Sequence, residues 1–205
     1  NMSGSVAVIA NALPVLWTVT SSPMGYCSGG AGVHVNLSSS ETGISYQLFH
    51  GTSAVGTMTG TGATLDFGLQ TLPGSYRVIA TNTTTMCSVE MIDSANVNVY
   101  SLPAVHSVTG GGSYCSGGAG VPVGMDGSSI GIVYRLYRGS ALVDSANGTG
   151  ALVSFPPQTV AGGYSVIATN PGTGCSASMA STAVVSITTP VTPSVTMISS
   201  PGDTV

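Results

Sequence analysis

The sequence repeats itself at a fixed step of 88 residues. Gly25-Tyr26-Cys27 followed by SGGAGV returns as Ser113-Tyr114-Cys115 followed by SGGAGV, and Leu48, Tyr76 and Cys87 return as Leu136, Tyr164 and Cys175. Gly25–Tyr100 and Ser113–Thr188 align without a gap, and about half of the aligned positions are identical. A period this long is one small domain rather than one turn of a solenoid, so the chain reads as a tandem array. Ser5–Val19 matches the module-ending segment Ala95–Val105, and Ser194–Val205 resembles Leu16–Cys27. The expected divisions are 1–14 as the last strand of a preceding module, 15–102 and 103–190 as two complete modules, and 191–205 as the opening of another. On that reading the array is longer than this chain, with a further cysteine just beyond Val205.

Within a module, Val33-His34-Val35-Asn36-Leu37 and Ile44-Ser45-Tyr46-Gln47-Leu48 alternate apolar with polar, the period of half-buried strands. Further strands are expected over Ala54–Thr59, Thr64–Phe67, Ser75–Asn82, Ser88–Met91 and Ala95–Tyr100, divided by Gly-, Pro- and Asn-rich turns. About seven short strands with turns every ~8–12 residues and no helical period predict an all-β, immunoglobulin-like antiparallel sandwich. Antibody-type features are missing from the pattern. No tryptophan lies between the paired cysteines, and Tyr76 stands well ahead of Cys87 rather than two residues before it, so Tyr76 is not expected to form a tyrosine corner. Single-residue insertions collect at Leu13-Pro14, Leu102-Pro103 and Thr189-Pro190, where proline stiffens the joints.

Charged residues make up 5% of the chain, the net charge is −4, and Arg77, Arg135 and Arg138 are its only strong bases. Nucleic acid and anionic membrane both require clustered Lys/Arg, so neither is an expected partner. The longest apolar stretch, Ser5–Val19, is broken by Asn11 and Pro14 and is too short to insert as a membrane helix. No cofactor is indicated. There is no CxxC or Cys/His zinc spacing, and the acids Glu41, Asp66, Glu90, Asp93, Asp126, Asp144 and Asp203 form no calcium-binding run.

Cys27, Cys87, Cys115 and Cys175 occupy equivalent places, two per module. A small module gains most from a covalent staple, and closing a loop of this length stabilises it by roughly 4 kcal/mol in the chain-entropy picture. Two pairings are open. Cys27–Cys87 with Cys115–Cys175 staples each module to itself and is the preferred reading. A bridge between neighbouring modules, such as Cys27 with Cys175, is the alternative, because Cys27 precedes the first core strand whereas Cys87 follows the last hairpin turn.

Gly127-Ser128-Ser129-Ile130-Gly131 satisfies GxSxG, but that nucleophile motif needs a following helix, and Glu41 replaces Ser129 in the other module. The SGGAG segments lack the helix and lysine of a phosphate loop and read as tight turns. His34, His50 and His106 are read as solvent-facing polar positions, and Trp17 as core or joint packing. No catalytic constellation repeats, so the chain is not expected to be an enzyme. One triplet recurs: Asp93-Ser94-Ala95, Asp144-Ser145-Ala146 and Asp203-Thr204-Val205.

YCSGGAGV, the Ile/Val-x-Tyr-x-Leu strand, the Gly-Thr-Gly-Ala turn and the GSYRVIATN/GGYSVIATN strand with its following cysteine resemble repeats of giant Bacteroidota surface proteins. Those include gliding-motility adhesin-type repeats and substrates of type IX secretion. The resemblance covers both modules and the two partial ends. It implies an extracellular, cell-surface location and a spacer or adhesive stalk. Expected partners are neighbouring modules of the same chain, surface glycans or other cells, and further copies in a homopolymer or lateral assembly. It also implies O-glycosylation at Ser94, Ser145 and Thr204. Two other roles fit the pattern: a filament subunit that donates Ser5–Ala12 as a strand, and a carbohydrate-binding array, for which an aromatic content of 6% is thin.

Overall fold

A computed structural model describes residues 8–191, and the chain divides into two units between Leu102 and Pro103. Among its described residues the first unit holds nine strands: β1 (Val19–Ser22), β2 (Gly25–Cys27), β3 (Val33–Leu37), β4 (Ile44–His50), β5 (Ser53–Thr59), β6 (Leu65–Gln70), β7 (Gly74–Asn82), β8 (Ser88–Glu90) and β9 (Ala95–Tyr100). One sheet has the order β1-β3-β6, and the facing sheet β2-β9-β7-β4-β5 with β8 added against β7. The second unit repeats this plan in β10 (Val108–Gly110), β11 (Gly112–Cys115), β12 (Val121–Met125), β13 (Val133–Arg138), β14 (Ala141–Asn147), β15 (Val153–Gln158), β16 (Gly162–Thr169), β17 (Ser176–Ser178) and β18 (Ala183–Thr188). Each unit is an all-β sandwich of immunoglobulin-like architecture.

Nine strands replace the seven expected because the opening of each module forms two short strands. β1 pairs antiparallel with β3, and after a break at Ser22-Pro23 the chain crosses to the other sheet, where β2 runs parallel to β9. The second module makes the same crossing through Gly110-Gly111-Gly112, all with positive φ. A Cβ on Gly111 would lie 2.6 Å from the Val184 carbonyl oxygen, so only glycine fits this crossing.

The period-two alternation becomes burial. Val33, Val35 and Leu37 point inward from β3, and Ile44, Tyr46 and Leu48 from β4, to meet Tyr76, Val78 and Ala80 of β7. The second core is built from the residues one step on, among them Val123, Met125, Tyr134, Leu136, Tyr164, Val166 and Ala168. Burying such side chains contributes roughly 1.5–3 kcal/mol apiece. The largest of them are tyrosines with fixed partners. Tyr46 and Tyr134 accept hydrogen bonds from the backbone N–H of Glu41 and Ser129. Tyr76 and Tyr164 donate to the carbonyls of Leu72 and Val160, four residues back. Burial raises the pKa of both Tyr46 and Tyr76, so their phenols stay protonated.

Tyr76 therefore does form a tyrosine corner at the β6–β7 bend, against the expectation from cysteine spacing. The position two residues later, a cysteine in antibody domains, is Val78, fully buried. Apolar packing has taken the place of a cross-core disulfide, which frees the cysteines for positions elsewhere in the fold.

Candidate functional site

The cysteines lie at the two ends of each module. In β2, Cys27 stands opposite Tyr100, the last residue of β9, at the end where the module's final strand leaves. Cys87 follows the turn after β7, and β7 runs antiparallel to β9 with Tyr76 opposite Ala95. From that pair, β7 continues to Asn82 in one direction while β9 continues to Tyr100 in the other, which places the two cysteines roughly 35 Å apart at ~3.3 Å per residue. A disulfide needs Cα atoms within about 7 Å. The preferred reading, Cys27–Cys87 with Cys115–Cys175, is thus overturned by strand register. Cys27 and Cys175 are disulfide-bonded, whereas Cys87 and Cys115 are free thiols.

The same hydrogen bonds present the cysteine at each equivalent position. Around Cys27 and Cys115, the N–H of Gly30 and Gly118 donate to the cysteine carbonyl at 2.8 and 2.9 Å. The neighbouring Tyr26 and Tyr114 hydroxyls donate to the carbonyls of Thr71 and Thr159. Gly32 and Gly120 close these SGGAG turns where a Cβ would lie 2.7 and 2.5 Å from the carbonyl oxygens of Gln70 and Gln158. Around Cys87 and Cys175, Asn82 and Asn170 donate their N–H to the cysteine carbonyl at 2.9 and 2.8 Å. Each asparagine carboxamide oxygen also accepts from the turn backbone. Met86 and Gly174 both take positive φ there, 60° and 73°.

The outer faces differ. On module 1, His34 Nδ1 donates to Asp66, 2.7 Å to Oδ2, across β3 and β6. That hydrogen bond, more than any other influence, holds the Asp66 pKa below the ordinary carboxylate value. Arg77 bonds Glu90 at 3.3 Å and lies over the Phe49 ring at 4.8 Å. On module 2, Pro122, Gly124 and Ser154 replace His34, Asn36 and Asp66, and a shallow groove of about 280 Å³ opens beside Pro122, Gly124 and Leu152.

Of the residues singled out from sequence, Ser94 is exposed between the bend at Asp93, whose φ is 61°, and β9, and Ser145 is exposed on the edge strand β14. Thr204 lies outside the described residues. The GxSxG segment leads into strand β13 rather than a helix. Ser128 is buried, donating to the Ala151 carbonyl and accepting from Thr149 N–H, as Ser40 does with Ala63 and Thr61. Only His34 matches the solvent-facing reading. His50 is half-buried, stacks on Tyr76 at 4.7 Å and bonds the Pro73 carbonyl. His106 occupies the position that Trp17 fills in module 1: the backbone N–H of each meets a methionine sulfur, from Met91 for Trp17 and Met179 for His106. Trp17 packs against the module 1 core. Among the described residues, no group of His, Cys, Asp and Glu could hold a metal ion, and no helix is long and apolar enough to cross a membrane.

No protein-family model matches the chain, and no curated protein matches it. Similar solved structures include the human OSCAR ligand-binding domain, at 15% identity and a TM-score of 0.38, covering 85% of this chain and 100% of that one. Murine CEACAM1b is similar at 13% identity and a TM-score of 0.41, covering 84% and 100%. The fibronectin(III)-like modules of Clostridium thermocellum CbhA are similar at 16% identity and a TM-score of 0.42, covering 83% and 95%. The likeness is one of fold alone.

Proposed function

We propose that this chain is a segment of a structural or adhesive stalk at an extracellular surface, of the kind its repeats resemble in Bacteroidota type IX secretion substrates. The observation that carries this reading is that each module's second strand pairs in parallel with its last, β2 with β9 and β11 with β18. Thr18 also bridges Ile92 in parallel, so the chain enters a module at the Cys87 end and leaves at the Cys27 end. A pull along the chain then loads the β2–β9 hydrogen bonds together instead of one after another. An antiparallel terminal pair would unzip.

Single-molecule pulling of the reduced protein tests the mechanical role. Two unfolding events are expected, and Gly25→Val should lower the force of one alone. A Cβ at Gly25 would meet the Asn98 carbonyl oxygen at 2.6 Å and spoil the β2–β9 pair. Unfolding forces unchanged by Gly25→Val contradict the shear reading. Surface location is tested by protease treatment of intact cells, where cleavage of the repeats only after lysis counts against it. The exposed Ser94 and Ser145 are the proposed glycan carriers, checked by intact mass of protein from its own host. An adhesive contribution from exposed Ser, Thr and aromatic positions would act through multivalency and is tested on a glycan array.

A further inference from the structure

Of the four cysteines, the bonded ones are a first-position residue, Cys27, and a second-position residue, Cys175. The free ones are the complementary set, second-position Cys87 and first-position Cys115. The repeat makes these equivalent sites: the turn that offers Cys87 is held by the same backbone bonds as the turn that offers the bonded Cys175, and the Cys115 turn by the same bonds as the Cys27 turn. A geometry that supports a disulfide at one member of each pair supports it at the other. Cys115 is exposed and lies 4.0 Å from the Thr188 hydroxyl, while Cys87 is half-buried beside the exposed Met86.

Position adds a direction. First-position cysteines stand where a module's chain leaves, and second-position cysteines where it enters. Two free thiols of opposite type therefore stand at opposite ends of their respective modules, Cys115 exposed and Cys87 half-buried. We infer that Cys87 and Cys115 are covalent coupling sites for other modules of this repeat, and that a second copy of this chain joins head to tail through a Cys115–Cys87 disulfide. The reaction requires an oxidant, taken as an oxidised low-molecular-weight disulfide such as glutathione disulfide. One protein thiolate attacks it and releases one glutathione. The second thiolate attacks the protein sulfur of the mixed disulfide and releases the other, so two protein thiols become one disulfide and the glutathione disulfide becomes two thiols.

This inference does not rest on the stalk reading, and its failure would leave the surface-accessibility and pulling tests untouched. The experiment mixes purified Cys87→Ser and Cys115→Ser chains, both checked for unchanged thermal unfolding, in a glutathione redox buffer. Non-reducing electrophoresis should show a two-chain species in the mixture and none in either variant alone, with peptide mapping finding Cys87 joined to Cys115. Wild-type protein should give a ladder. Equal dimer yields from each variant alone, which mean unselective thiol oxidation, overturn the inference. So does a mixture that remains monomeric with both thiols carrying glutathione.

Discussion

The two modules share their interior and diverge on their surface. Buried tyrosines, the serine pair Ser40/Ser128 and the β-branched core recur at each step. The charged set does not: Arg77, Glu90 and Asp66 of module 1 correspond to Ser165, Ser178 and Ser154 of module 2. The repeat thus preserves what holds a sandwich together and leaves its outer faces free to vary.

The largest effect is expected at the glycines that open the Gly-Thr-Gly-Ala turns. A Cβ on Gly60 or Gly148 would lie 1.8 or 1.9 Å from the carbonyl oxygen of Glu41 or Ser129. Gly60→Ala and Gly148→Ala should each destabilise their own module by about 3 kcal/mol or more, seen in urea unfolding as one early transition. Next comes Gly124→Asn, which places in module 2 the residue module 1 carries at Asn36. A Cβ there meets the Val153 carbonyl oxygen at 2.5 Å, and a loss of about 2 kcal/mol is expected. A neutral result would mean that the outer sheets are interchangeable. Tyr76→Phe and Tyr164→Phe each leave one carbonyl without its hydroxyl donor and should cost about 1–1.5 kcal/mol, equally in both modules. Unequal costs would show that the shared interior is not energetically shared.

The smallest effect separates the modules by pH. The Asp66 pKa is lowered in the folded state, so its contribution is present above the unfolded value and is lost as pH falls through the folded one, from about pH 4 downward. Because the pair is half exposed, solvent screening keeps this under about 1 kcal/mol. Module 1 should lose stability on acidification and Asp66→Asn should remove that loss; module 2 carries Ser154 at this position.

Much of this fold was legible in the sequence because its signals are local. The alternation over Val33–Leu37 and Ile44–Leu48 and the turn residues that bound the later strands correspond to β3, β4, β6, β7 and β9. What stayed hidden depends on partners far along the chain. β2 has little pattern of its own in three residues, and its parallel pairing with β9 is set by contacts some seventy residues away. Without that pairing, the cysteine ends could not be placed, and an intramodule staple looked natural. Cysteine spacing is no marker for the corner at Tyr76, whose hydroxyl donates to the Leu72 carbonyl instead. The signal that could have found it was Leu72-Pro73-Gly74, a bend four residues ahead of a tyrosine.

One scaffold is repeated with its two cysteines at opposite ends of each module, out of reach of each other. Non-reducing peptide mapping of the purified chain, with free thiols alkylated before digestion, tests it directly. In the monomeric fraction, Cys87 and Cys115 should be alkylated without reduction and Cys27 and Cys175 only after it. A Cys27–Cys87 or Cys115–Cys175 cross-linked peptide would contradict the account.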